Sequence, residues 1–232
     1  MSASATPTPT PTVFDETADS AVSAVSAVDS APTHSPKTTV FVVTSLARKY
    51  KDFAYVLGLL GYEVVMVDPG KVDELASHDS FKLINDKMHR LKEIVGKLPG
   101  FVIYEDTKFN FVKNGTDLGW PSFGVTGLAS KTLERNLSEW AGFLGAQEGK
   151  YSCGAILEIP DGRTFFFSAT RNVTMCDERS GEGAIDRYTI PKGSVKAFSE
   201  MSDEERTGTD PWAHARAVIA REIALKLQEL GY

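Results

Sequence analysis

Two adjacent carboxylates, Glu105 and Asp106, follow the apolar run Phe101 to Tyr104 and precede Thr107. Carboxylates at the end of a buried strand are well placed to hold Mg2+, a hard cation that takes carboxylate, water and phosphate oxygens. One of them could instead orient or deprotonate an attacking water. A second group lies upstream, in Thr44-Ser45-Leu46-Ala47-Arg48-Lys49. This loop leaves one strand and enters a helix, where free backbone N–H groups and the helix dipole gather anions. Arg48 and Lys49 add positive charge suited to phosphate. A third block, Phe198 to Arg206 and then Asp210 to Arg216, contributes Arg206, Trp212 and His214. Trp212 is either core or a platform on which a base stacks. Each group also has a plain structural reading: solvated charges on a helical turn, a turn acid, a surface histidine.

These side chains need elements to position them, and the hydrophobic pattern supplies them. Thr38 to Thr44 is a short, β-branched run of the buried-strand type. Phe53, Val56, Leu57 and Leu60 predict a helix face after it, with Gly61 as the C-terminal cap. Tyr62 to Val67 reads as the next strand, and β-α-β order predicts a parallel pair with a right-handed crossover. Phe81, Ile84, Met88, Leu91 and Val95 form a second helical stripe, broken by Pro99-Gly100 before strand three at Phe101 to Tyr104. Gly119-Trp120-Pro121-Ser122 marks a turn, and residues 130–143 read as helical. Tyr151 to Ile159 and Thr164 to Thr170 flank Pro160-Asp161-Gly162-Arg163, a hairpin signal. Ser202 to Glu205 has the form of a capping box. Asp210-Pro211 predicts the start of a last helix whose buried face is Ile219, Ile223, Leu227 and Leu230. The pattern is α/β, with a mixed central sheet and helices on both sides.

The remaining features bound the function. The formal charge of −6 argues against a general affinity for nucleic acid, which needs a basic face. A small anionic substrate is allowed, because a few local cations and a metal overcome the global field. Cys153 and Cys176 form neither a zinc spacing nor a disulfide framework, which fits a reducing compartment. No apolar run is long enough to cross a bilayer, and the first residues lack the pattern of a secretory signal, so a cytoplasmic protein without a membrane partner is expected. Residues 1–37 are Ser/Thr/Pro/Ala-rich, with Thr-Pro alternation and a Ser-Ala-Val repeat. Such a segment buries too little apolar surface to offset its ordering entropy, so a disordered tail is expected ahead of one domain over 38–232.

These motifs, in this order, resemble the inosine/xanthosine triphosphate pyrophosphatases. Val40 to Thr44 with Lys49 is similar to that family's first strand and phosphate loop. Val102-Ile103-Tyr104-Glu105-Asp106-Thr107 is similar to its acidic strand, and Leu118 to Phe123 to the Gly-x-Pro turn after it. The hairpin around Cys153 to Phe167 and the block Phe198-Ser199-Glu200-Met201 through Arg206 complete the match. The resemblance implies an α/β fold with two lobes flanking a nucleotide cleft, often dimeric. It also implies Mg2+-dependent attack of water on a nucleoside triphosphate, giving monophosphate and pyrophosphate. Glu105 and Asp106 would then be the catalytic and metal-binding acids. Thr44, Lys49, Arg206 and a basic residue of the second helix, Lys87 or Arg90, would face the nucleotide, with Asp186, Trp212 and His214 towards its base or sugar.

Departures from the family pattern fall mainly in the base-reading half. Thr44-Ser45-Leu46 stands in place of Thr-Gly-Asn, and Arg206 in place of a lysine. Gly183-Ala184-Ile185-Asp186-Arg187 keeps only the acid of the base-pocket motif. The family's Ser-His-Arg falls on Asp210-Pro211-Trp212 without gaps, or on Ala213-His214-Ala215 with a three-residue shift. A pyrophosphatase with altered base specificity is the leading expectation. Hydrolysis of a monophosphate or a glycosidic bond, and a catalytically silent nucleotide-binding or scaffold module, are the alternatives.

Overall fold

The computed structural model describes residues 38–70, 72, 80–113, 116–119, 148–183 and 185–232, all within the unit Pro36–Tyr232. The expected tail over 1–37, the turn at Trp120-Pro121-Ser122 and the helix over 130–143 lie outside the described residues.

Strand β1 (Thr39–Val43) pairs in parallel with β2 (Glu63–Val67) and with β3 (Phe101–Lys113). Helix α1 (Ala47–Leu59) connects the first two strands, as the apolar spacing predicts. Helix α2 (Ser80–Val95) precedes β3. The rest of the sheet is antiparallel: β4 (Thr116–Gly119) and β5 (Glu148–Glu158) pair with β3, β6 (Thr164–Met175) with β5, and β7 (Thr189–Pro191) with β6. The principal order is β2-β1-β3-β5-β6-β7, a mixed sheet. Helices α3 (Asp203–Thr207) and α4 (Ala215–Glu229) close the chain.

The sheet separates two apolar layers. Side chains alternate across a strand, so Ile103 of β3 joins Phe53 and Leu57 of α1 and Ile219 and Ile223 of α4 on one face. Val102 and Tyr104 point the other way, onto Ile84, Met88 and Leu91 of α2.

Three local expectations are corrected. Leu60 is not on the buried face of α1. It is the C-cap, with non-helical dihedrals, and lies 47% exposed, while Gly61 takes the positive φ of 92° that follows. Phe81, in the first turn of α2, is also exposed, its ring edge-on to Phe166 at 5.2 Å. Strand three does not stop at Tyr104. The ladder with β5 runs from Val102–Glu158 to Phe111–Gly149 and carries β3 through the charged residues that read as its end. Pairing with a distant strand overrides the local polarity.

Two leucines separated by two positions test the layer assignment. Leu57→Ala, fully buried, should lower unfolding free energy by about 2–5 kcal/mol. Leu59→Ala, 74% exposed, should stay within about 0.5 kcal/mol. Urea unfolding measures both; equal losses would contradict the assignment.

Candidate functional site

β1 ends at Val43, opposite Tyr104, and beyond that point β3 continues without its parallel neighbour. Glu105 and Asp106 are the first two residues past the end of the parallel ladder. They are therefore mid-strand residues, yet still at the edge left where β1 turns away into α1. The pleat sends Glu105 to the α1/α4 face and Asp106 to the α2 face.

Thr44 closes the turn out of β1: its N–H donates to Val67 O, and its hydroxyl accepts from Leu46 N at 3.1 Å. Leu46 then provides no side-chain cap for α1, and no acid occupies the first turn. Lys49, in that turn, reaches over the free edge, 2.7 Å from Glu105 Oε2 and 3.9 Å from Asp106 Oδ1. From the other face, Lys87 of α2 donates to Asp106 Oδ1 at 2.8 Å. Thus Thr44, Lys49, Glu105 and Asp106, read from sequence as one site, share one sheet edge with Lys87, one of the two basic candidates on the second helix.

The two acids differ in environment. Glu105 Oε1 accepts from Thr107 Oγ1 at 2.6 Å and Arg216 Nε at 3.1 Å, and its side chain is 2% exposed. Burial raises its pKa, but the charges of Lys49 and Arg216 outweigh that and hold it at about 2. Both oxygens are engaged by cations. Asp106 is more open, at 11% side-chain exposure, as are Lys49 and Lys87 at 13% and 14%.

Behind Glu105 lies a buried ionic network. Asp52, on the inner face of α1, is fully buried and takes both oxygens to Arg206, at 2.6 and 3.1 Å. It also accepts from Arg216 and from Arg48. Arg206 donates onward to Asp186 Oδ2 at 2.6 Å and to the carbonyl of Phe198 at 2.9 Å. Tyr151 OH donates to Asp186 Oδ1 at 2.9 Å and accepts from Arg216 at 3.0 Å. Burial pushes the Asp52 carboxyl up; Arg206 and Arg216 more than reverse this, leaving it below the usual aspartate range.

Arg206 and Asp186, expected to face the nucleotide, are instead buried against one another. His214 joins them. It is fully buried between the rings of Tyr151 and Phe198, at 4.8 and 4.7 Å. Its Nδ1 accepts from Arg216 N at 3.1 Å, making His214 the N-cap of α4. The helix therefore starts four residues later than Asp210-Pro211 predicts; the 210–213 segment forms a turn, closed by Ala213 N to Asp210 O. The expected capping box at Ser202 is present: Ser202 Oγ accepts from Glu205 N, and Glu205 Oε2 from Ser202 N. Trp212 precedes α4 rather than lying on its first turn, and is half-buried against the core, close to Gly193.

Sequence reading missed Asp52, Tyr151 and Arg216. One signal was available for Asp52: it interrupts an otherwise apolar face beside Phe53 and Val56. Arg216 and Tyr151 carry no comparable signal, because their partners come from other elements. Among the described residues, no three Asp, Glu, His or Cys side chains converge as a metal-binding group.

No protein-family model matches the chain, and neither does any curated protein. Solved structures do. The chain is similar to the Ham1 protein of Staphylococcus aureus, at 16% identity and a TM-score of 0.58, over 83% of this chain and 99% of that one. It is similar to a HAM1 protein from Coxiella burnetii at 12% identity and a TM-score of 0.57, over 83% and 99%. A nucleoside-triphosphatase/dITP/XTP pyrophosphatase from Mycobacterium abscessus aligns at 14% identity and a TM-score of 0.48, over 82% and 98%. The chain has the fold of the Ham1 proteins.

Asp52 should be the most sensitive position of the network. Asp52→Asn leaves Arg206 and Arg216 short of a counter-charge and should cost about 3–5 kcal/mol in chemical unfolding; a loss below 1 kcal/mol would contradict its place in the network. His214 supplies a pH test. Burial, then Arg206 and Arg216, depress its pKa well below 6.5, so the native ring stays neutral where the unfolded one is charged. The unfolded state binds the extra proton, so stability contributed above about pH 6.5 is lost as pH falls below it. Replacing His214 with Asn should flatten the stability slope between about pH 4.5 and 6.5 relative to the native protein. An unchanged slope would show that His214 is not the group responsible.

Proposed function

We propose that this chain is a nucleotide hydrolase, most simply a nucleoside triphosphate pyrophosphatase that converts a triphosphate and water into a monophosphate and pyrophosphate. The observation that carries the reading is the convergence of Lys49 and Lys87 on Asp106 beside the uncapped start of α1. Two ammonium groups and free helical N–H groups are what a polyphosphate needs, and a carboxylate among them is what an attacking water needs. The sequence resemblance and the Ham1 fold support the same reading.

Within it the acids divide their work. Glu105, engaged on both oxygens, anchors Lys49. Asp106, the more open acid, orients the water and accepts its proton. Magnesium fits here only as an ion carried in on the triphosphate, with Asp106 as its protein carboxylate, since Glu105 would have to give up Lys49 to bind it. One carboxylate with phosphate and water oxygens is an ordinary magnesium shell, and the ion would neutralise phosphate charge. Lys49 and Lys87 hold the phosphate oxygens, and pull charge from them as the bond breaks.

Base selection is proposed to differ from that of the resembling family. Arg206 and Asp186 are buried against one another and His214 lies between the rings of Tyr151 and Phe198, which supports an altered specificity. Pyrophosphate release should be measured over canonical and non-canonical triphosphates, with and without Mg2+. Asp106→Asn should lower kcat by about 10²-fold or more, and Lys87→Met should act mainly by raising KM. Full activity in Asp106→Asn would sink the assignment. Release of inorganic phosphate from monophosphates, with triphosphates inert, would replace the reaction by its alternative.

A further inference from the structure

Arg216 closes the third sequence block without a role of its own there, yet its side chain joins three members of the buried network. Its side chain is 4% exposed. Nε donates to Glu105 Oε1 at 3.1 Å, Nη1 to Asp52, and Nη2 to Tyr151 OH at 3.0 Å. Each guanidinium nitrogen donates to a buried group, and of the three partners Glu105 is the one at the sheet edge. The residue therefore has one route to the sheet edge, through Glu105.

That route is short. Arg216 and Thr107 together occupy Glu105 Oε1, which turns Oε2 to Lys49 at 2.7 Å. Lys49 is thereby held over the edge, within 3.9 Å of Asp106. Without the guanidinium, the Glu105 carboxylate keeps only a hydroxyl and an ammonium, and nothing but Thr107 fixes which oxygen each receives. A lysine at 216 would restore the charge but not the geometry, because one ammonium cannot serve three acceptors on α1, β3 and β5 in a planar fork.

We propose that Arg216 is a positioning residue of the phosphate site, acting on a bound polyphosphate through Glu105 and Lys49 without touching it. The proposal rests on the reading of this edge as a phosphate site and specifies how its central lysine is held. Arg216 belongs to α4, far along the chain from both, so α4 contributes to the site as well as to the core.

The test is inorganic tripolyphosphate binding by calorimetry on the full chain, with nucleotide turnover read separately. Arg216→Lys should weaken tripolyphosphate binding about tenfold, and Thr107→Val, which removes the other donor to Glu105 Oε1, should weaken it in the same direction. Tyr151→Phe, which removes the hydroxyl's contacts with Arg216 and Asp186 and leaves both donors to Glu105 Oε1 in place, should bind within about threefold of the native chain. In combination with Lys49→Met, Arg216→Lys should add no further loss, because both act on one lysine. Native-like binding in Arg216→Lys, equal loss in Tyr151→Phe, or fully additive losses with Lys49→Met would overturn the proposal. If Arg216→Lys does not fold, the Thr107→Val and Lys49→Met cycle decides, with additivity again the overturning result. Failure of the functional reading looks different: tripolyphosphate binds with this pattern and no nucleotide is hydrolysed. Native protein that binds no tripolyphosphate would overturn both.

Discussion

Asp52 is one carboxylate, fully buried on the inner face of α1, with three arginines around it. A charge so placed is tolerated only if paired and hydrogen-bonded, and here the pairing comes from parts of the chain more than 150 residues away. The requirement works in both directions. Arg206 and Arg216 are equally buried and have no solvent to fall back on, so α1, α3 and the start of α4 must meet at one point. An exposed pair, Lys51–Glu182, and a half-buried one, Arg48–Asp203, join some of the same segments. Screened by water, they add little beside it.

The network also separates two kinds of charge. On its inner side lie groups neutralised by one another: Arg206 with Asp186, Arg216 with Asp52, and a neutral His214 held between aromatic rings. On its outer side lie Lys49, Lys87 and Asp106, still partly open at the edge of β3. Glu105 is the boundary between them, engaged by Arg216 from within and by Lys49 from without. A phosphate chain would meet only the outer set. Asp186, Arg206 and His214, which resemble a base pocket in sequence, lie buried in the inner set.

Much of this was legible from residues alone. The strands β1 and β2, the helix faces of α1 and α2, the capping box at Ser202 and the hairpin of β5 and β6 follow from local periodicity and turn chemistry, which act over a few residues. Lys49 and the carboxylates of the edge were also found, because strand ends are where a parallel sheet gathers its charged groups, while Lys87 was one of two candidates offered by the family resemblance. The length of β3 was not legible. Its charged middle looks like a strand end, and only the ladder with β5 shows otherwise.

What the sequence determined by itself is therefore β1, α1, β2, α2 and the β5–β6 hairpin in their order, most of their buried faces, and an acid pair with Lys49 suited to phosphate. What the tertiary structure alone decided is which charges are buried against one another and which lie nearer the surface. Arg206, Asp186 and His214 carry the right chemistry for a ligand, but Arg206 and Asp186 pair with each other and with Asp52 of α1 and Tyr151 of β5, and His214 is buried between the rings of Tyr151 and Phe198. The physical reason is range. Backbone propensity and amphipathicity are set by neighbours three or four residues away, whereas a buried charge is settled by whichever opposite charge the fold brings within about 3 Å.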